Sequence, residues 1–215
     1  MNILQTPLFC GLSQENLDQM CQSGCLRSAA FERGQQVLRI GQTVRELGLV
    51  LSGAVQIESV DPWGGNSLLS MLGPGHIFAE SYALCDESLM VDVLCAEAAD
   101  ILFVNTGLAL SRTGATWHTR LLANLLSLAA RKNLTLSRRI FCTASRSARG
   151  RIVTYLSGEA ARAGARSFQI PLNRQQLADY LGLDRSALSR ELSRMRQEGL
   201  LSFHKNQFQL LALEP

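Results

Sequence analysis

The 215-residue sequence predicts an α+β chain in three parts. These are an N-terminal antiparallel β-roll of jelly-roll type, a long dimerisation helix and a C-terminal winged helix-turn-helix. Three observations predict this. Between about 28 and 106, short apolar runs are broken by turns at Gly34, Gly41, Gly53, Gly64-Gly65 and Gly73-Pro74-Gly75, as closely spaced antiparallel strands require. Residues 115–141 contain neither glycine nor proline. Residues 174–200 read as two short helices joined at a glycine. The boundaries that follow are 1–114 for the roll, 115–141 for the long helix, 142–147 for a hinge and 148–215 for the winged unit.

Each element has its own local reason. A short amphipathic helix over 15–22 follows the turn Leu12-Ser13-Gln14. In the long helix, Leu122, Leu126, Ala129, Asn133, Leu136 and Ile140 alternate spacings of four and three, the signature of a coiled-coil dimer seam. Asn133 is its polar register-setting member. The rival reading is a helix packed on its own β-domain. CTASRS at 142–147 interrupts the periodicity, and a helix over 148–163 follows, with Ile152, Val153, Leu156 and Ala160 inward. Residues 167–171 suit a short strand.

In the helix-turn-helix, Asn173 caps the first helix with Gln176 in a capping box. Leu177, Ala178 and Leu181 face inward, and Gly182 ends the helix. Leu183 plugs the turn, and Asp184 caps the second helix. Leu188, Leu192 and Met195 face inward, Gly199 closes the helix, and Arg185, Ser186, Ser189 and Arg190 are left on the outer face. Leu200–Phe203 and Phe208–Leu211 then form a hairpin wing, with His204 and Lys205 at its tip. This layout places one helix in the DNA major groove. The rival reading is a winged bundle in a sensor module that acts through protein contacts without DNA.

Charge agrees with the DNA reading. The net charge of +3 divides unevenly: from residue 141 onward 11 basic residues face 6 acidic ones, whereas residues 1–140 hold 10 basic and 12 acidic. A basic field over the winged half favours phosphate contacts. The N-terminus has no basic start followed by an apolar run, and no apolar stretch is long enough to span a membrane, so a cytoplasmic chain with no membrane partner is expected. Six cysteines in such a chain argue against a disulfide framework. The three histidines pair with no nucleophile, so neither a catalytic nor a metal site is assigned.

Four stretches in order resemble the Crp–Fnr family of bacterial transcription regulators, the relatives of the cyclic-AMP receptor protein. They are ERGQQVLRIGQ at 32–42, LGLVLSGAVQI at 47–57, LGPGHIFAESYAL at 72–84 and the helix-turn-helix at 174–195. The resemblance covers nearly the whole chain. It implies a cyclic-nucleotide-binding-like roll and a homodimer on double-stranded DNA with a near-palindromic site. It also implies contact with RNA polymerase. Base reading falls to Arg185, Ser186, Ser189 and Arg190; a bidentate arginine on guanine is worth about 1–3 kcal/mol of discrimination. Many members carry glutamate where this chain has Ser186, which implies a different DNA site. Arg174, His204 and Lys205 fall to phosphate.

The resemblance also locates the effector. Glu80 stands at the family's ribose-binding glutamate. Leu89 and Met90 stand where an arginine–serine pair holds the phosphate, and Ala79 replaces a glycine. Between Arg45 and Arg112 there is no Lys or Arg, but there are nine acidic residues: Glu46, Glu58, Asp61, Glu80, Asp86, Glu87, Asp92, Glu97 and Asp100. A buried phosphate there would lack a cationic partner unless Arg120, Arg131 or Lys132 of the long helix supplied one. The expected effector is therefore an uncharged or weakly polar small molecule rather than a cyclic nucleotide. Its pocket would be lined by Gly75, Phe78, Glu80, Tyr82, Leu89 and Met90 and closed by the long helix. No cofactor is firmly implied. The other inputs are an iron–sulfur cluster on Cys10, Cys21 and Cys25 with Cys85 or Cys95, and haem on His76 or His118 with a cysteine. A thiol switch at Cys142, activated by Arg138, Arg139 and Arg146, is a further one.

Overall fold

The structure is a computed structural model that describes residues 2–60, 66–111 and 115–212; the expected Gly64-Gly65 turn, Asp61 and Arg112 lie outside the described residues. The elements in order are α1 (Gln14–Gln22), β1 (Leu26–Phe31), β2 (Gln36–Leu38), β3 (Glu46–Ser52), β4 (Val55–Val60), β5 (Asn66–Leu72), β6 (Ile77–Phe78), α2 (Glu80–Cys85), β7 (Asp92–Cys95), β8 (Ala99–Asn105), α3 (Thr106–Leu110), α4 (Thr116–Thr143), α5 (Ala148–Ala163), β9 (Ser167–Gln169), α6 (Arg174–Leu181), α7 (Arg185–Gln197), β10 (Leu201–His204) and β11 (Gln207–Leu210). The chain forms two units, 1–130 and 131–215, with α4 contributing to both.

The first unit is built on two antiparallel sheets, ordered β1-β8-β3-β6 and β2-β7-β4-β5. The side-chain period of two explains the unbroken apolar run Ile101–Val104. Ile101 and Phe103 join Val50, Val55, Phe78 and Val93 in a core drawn from both sheets. Leu102 and Val104 join Leu47 and Leu49 in a second core with α1 and α4. Gly48 faces the ring of Phe78, and a Cβ there would lie 2.1 Å from Phe78 Cζ. Glycine at this position lets β3 and β6 pair, with Gly48 opposite Phe78.

Helix α4 carries two stripes. Trp117, Leu121 and Leu125 are buried in the α1 core, and the Asn124 amide donates to the carbonyls of Leu8 and Cys10 at 2.9 and 2.8 Å. The expected seam is a separate stripe: Leu126, Leu136 and Ile140 are 72%, 61% and 69% exposed. The packed-helix reading thus applies to one stripe and leaves the other uncovered. The helix runs two residues past its expected end and takes in Cys142, so only residues 144–147 lie between α4 and α5.

The second unit packs α5, α6 and α7 against a three-stranded sheet ordered β10-β11-β9. The 167–171 segment supplies β9, which extends the wing. The Asn173–Gln176 capping box forms. Gly182 takes the left-handed conformation (φ +61°) that ends α6 at low steric cost. Asp184 occupies the cap position of α7 but makes no side-chain cap hydrogen bond, contrary to expectation. The wing turn is Lys205-Asn206; His204, expected at the tip with Lys205, ends β10 and pairs with Gln207 within the ladder.

Candidate nucleic-acid interface and effector site

Helix α7 is buried along Leu188, Leu192 and Met195. Arg185, Ser186 and Arg190 are exposed on its other side, and Ser189 is half-buried. Among the described residues, Arg185 and Arg190 form no ion pair. Lys205 and His204 are exposed on the wing. Arg174 opens α6 beneath it. Its guanidinium lies 5.0 Å from the Phe203 ring centroid and donates to the Lys205 carbonyl at 3.1 Å. Burial, and then the nearby Arg185 charge, press the Arg174 pKa below the usual arginine range. Arg174, Arg185 and the wing tip therefore share one positive neighbourhood.

Several cations of the second unit are engaged within it. Arg149 donates to Glu191 at 2.6 Å and to both carboxylate oxygens of Glu198 at 2.8 Å. Those hydrogen bonds raise the arginine pKa and lower that of Glu198. Arg151 donates to the carbonyls of Ser145 (2.8 Å), Leu181 and Gly182 (both 3.0 Å). Arg139 donates to those of Asp179 and Tyr180 at 3.1 and 3.2 Å. Two arginines thus close the C-terminal end of α6, where backbone carbonyls lack helical partners. Sequence reasoning missed this role, because a charge count does not distinguish a cation facing solvent from one facing a carbonyl.

The expected effector pocket does not assemble as drawn. Phe78 and Leu89 are core residues, 1% and 2% exposed, whereas Met90 is 73% exposed. The buried face of α4 packs on the α1 core and not on the one that holds Phe78 and Leu89. Glu80 is buried at the start of α2, and Tyr82 is half-buried. The Gly75 N–H donates to the Val50 carbonyl. Ala79 adopts φ +59°, the left-handed region that favours glycine. The roll does contain a recess of about 420 Å³, lined among others by Arg27, Phe31, Arg45, Glu46 and Phe103. There Arg27 grips Glu46 through Nε (2.9 and 3.0 Å) and Nη2 (2.5 Å), and lies 4.0 Å from the Phe103 ring centroid. Nothing in the local sequence pattern pointed to it.

The cysteines and histidines of the metal and redox alternatives are dispersed. Cys25 and Cys95 belong to different cores, and Cys10, Cys21 and Cys85 are exposed. Among the described residues, no three His, Cys, Asp or Glu side chains converge as a metal site. His76 is exposed with Nδ1 3.1 Å from the Gly73 carbonyl, and His118 lies against Trp117. Cys142 is buried, and burial followed by the Glu159 charge pushes its thiol pKa up. The arginine opposing that shift is Arg162, not Arg138, Arg139 or Arg146.

Comparison with known proteins gives this architecture its context. Residues 150–214 match the Crp-like helix-turn-helix domain, and residues 29–108 match the cyclic nucleotide-binding domain. The chain is 27% identical to the cyclic AMP receptor protein of Thermus thermophilus, over 91% of this chain and 88% of that protein. It is 24% identical to the transcriptional activator protein FnrA of Stutzerimonas stutzeri, over 86% and 77%. The crystal structure of the Thermus thermophilus catabolite activator protein aligns at 26% identity and a TM-score of 0.52, covering 97% of this chain and 95% of that one. A sensory β-roll, a long helix and a winged helix-turn-helix define a DNA-binding transcription regulator. The chain belongs to the Crp/Fnr family of such regulators. Among the described residues, no helix is long and apolar enough to cross a membrane.

Proposed function

We propose that the chain acts as a homodimer that reads a near-palindromic DNA site through α7 and responds to an effector other than a cyclic nucleotide. The observation that carries the proposal is the outer face of α7, where Arg185 and Arg190 stand without acidic partners among the described residues while the opposite face is sealed in the core. Arg185, Ser186, Ser189 and Arg190 read base edges; Arg174, His204 and Lys205 set position on phosphate. The α4 stripe of Leu122, Leu126, Ala129, Asn133, Leu136 and Ile140, half-buried at Leu122 and Ala129 and exposed at the other four, is the dimer seam, which spaces the two readers about one DNA turn apart. Leu89, buried in apolar surroundings, and Met90, in solvent, offer no charge for a cyclic phosphate, which supports a less polar effector. A cytoplasmic location and contact with RNA polymerase follow from the family.

Selection of bound sites from a random duplex library tests this. The expected result is a two-fold symmetric site with half-sites about 10 base pairs apart. Arg190→Ala is expected to lose about 1–3 kcal/mol of preference at one half-site position. Lys205→Ala is expected to weaken all sequences alike and to lower the salt slope by about 1. Absence of any enriched sequence refutes base reading, and one chain per site refutes the dimer.

A further inference from the structure

The second unit holds a cavity of about 790 Å³ between the last turns of α4 and helix α5, which the DNA-reading surface does not use. Leu134 and Phe141 form one wall, 55% and 74% exposed, and the rings of Tyr155 and Tyr180 form another, 5.4 Å apart. Gly158 belongs to the same lining, and a Cβ built there meets nothing within 4 Å. A glycine inside a sixteen-residue helix costs about 1 kcal/mol relative to alanine. The residue is exposed and no crowding requires glycine there, so the position borders the open side of the cavity. The charges at the cavity are Arg138, Arg162 and Glu159. Arg162 pairs with Glu159 at 2.9 Å, whereas Arg138 has no acidic partner among the described residues. Burial keeps the Cys142 thiol and Tyr155 hydroxyl protonated, so the floor stays neutral.

We infer that this cavity is a small-molecule site for a flat, largely apolar monoanion, its rings between Leu134, Phe141 and the tyrosine pair and its anionic group toward Arg138. The volume lies within the usual range for ligand pockets. A surplus of one positive charge over the lining matches a single negative charge on the ligand. A second copy of the chain is the rival occupant. At 3.6 residues per turn, however, Leu134, Ser137, Arg138 and Phe141 centre about 110° around α4 from the seam residues, so the cavity opens beside the proposed seam rather than on it. The inference does not depend on the DNA reading.

Titration of the full chain with 8-anilinonaphthalene-1-sulfonate, an aromatic monosulfonate whose fluorescence rises in apolar surroundings, tests it. The expected result is saturable binding of one dye per chain. Gly158→Leu, which places a bulky side chain at the cavity rim, is expected to weaken binding at least tenfold without lowering the melting temperature. Arg138→Glu, an exposed change, is expected to weaken it at least fivefold and carries the test alone if Gly158→Leu does not fold. Absence of saturable binding, or equal binding by Arg138→Glu, overturns the proposal. A change in sedimentation mass on Gly158→Leu also overturns it, because it assigns the groove to a second copy.

Discussion

Replacing Arg151 by alanine distinguishes a structural cation from a DNA-binding one. Its guanidinium serves three carbonyls, those of Ser145 before α5 and of Leu181 and Gly182 at the end of α6, at 2.8–3.0 Å. A hydrogen bond from a charged group is worth about 1.5–3 kcal/mol. Two of the three share one nitrogen, and the freed carbonyls regain some water, so the net loss is about 3 kcal/mol rather than three times the single value. For a chain of this length that is a fall in Tm of about 6–12 °C, at 2–4 °C per kcal/mol. Arg151→Lys keeps the charge but cannot span the three acceptors, so it recovers only part of the loss. Thermal unfolding followed by circular dichroism gives the stability, and DNA titrations at several salt concentrations give the number of phosphate contacts. The expected result is a large fall in Tm with an unchanged salt slope. A Tm change below about 2 °C with a salt slope lower by about 1 would place Arg151 on phosphate and refute the reasoning.

Two further outcomes are expected. Gly48→Ala drives a methyl into Phe78 and destabilises the roll by about 1–3 kcal/mol; adding Phe78→Leu restores part of it, and strictly additive losses in denaturant unfolding refute the contact. Burial, with a smaller contribution from Cys21, pushes the Cys25 thiol up from 9.0 to about 11. The folded state therefore holds its proton where the unfolded state has lost it. The stabilisation is complete below pH 9 and is lost as pH rises through 11. Urea unfolding at pH 8–11 is expected to show a decline that Cys25→Ala flattens, and identical slopes for both chains refute the assignment.

The winged unit was the most legible part of the sequence, because its instructions are local. Asn173 and Gln176 satisfy each other within one turn, Gly182 ends α6 through its own backbone, and Leu188, Leu192 and Met195 define an inner face by spacing alone. The roll was legible as alternating strands, yet the lining of its pocket was not. Phe78 and Leu89 were expected to face a ligand and instead fill the core between the sheets. Apolar residues beside a glycine loop read the same whether they meet a ligand or the opposite sheet. Asp184 shows a similar limit: residue type marked the cap position, but the hydrogen bond depends on a rotamer that sequence does not specify.

The sequence by itself determined the order of elements, the helix-turn-helix with its outward Arg185, Ser186, Ser189 and Arg190, and the seam spacing of α4. These follow from periodicity, capping chemistry and glycine turns, which act over a few residues. Tertiary structure alone decided which cations are free. Arg139, Arg149 and Arg151 are tied to carbonyls and carboxylates 30–49 positions away in the chain, while Arg185 and Arg190 have no acidic partner among the described residues. It also decided that Arg27 closes on Glu46 in the roll and that Gly158 borders an open cavity in the winged unit. Hydrogen bonds and packing join residues by distance in space, and only the folded chain sets those distances.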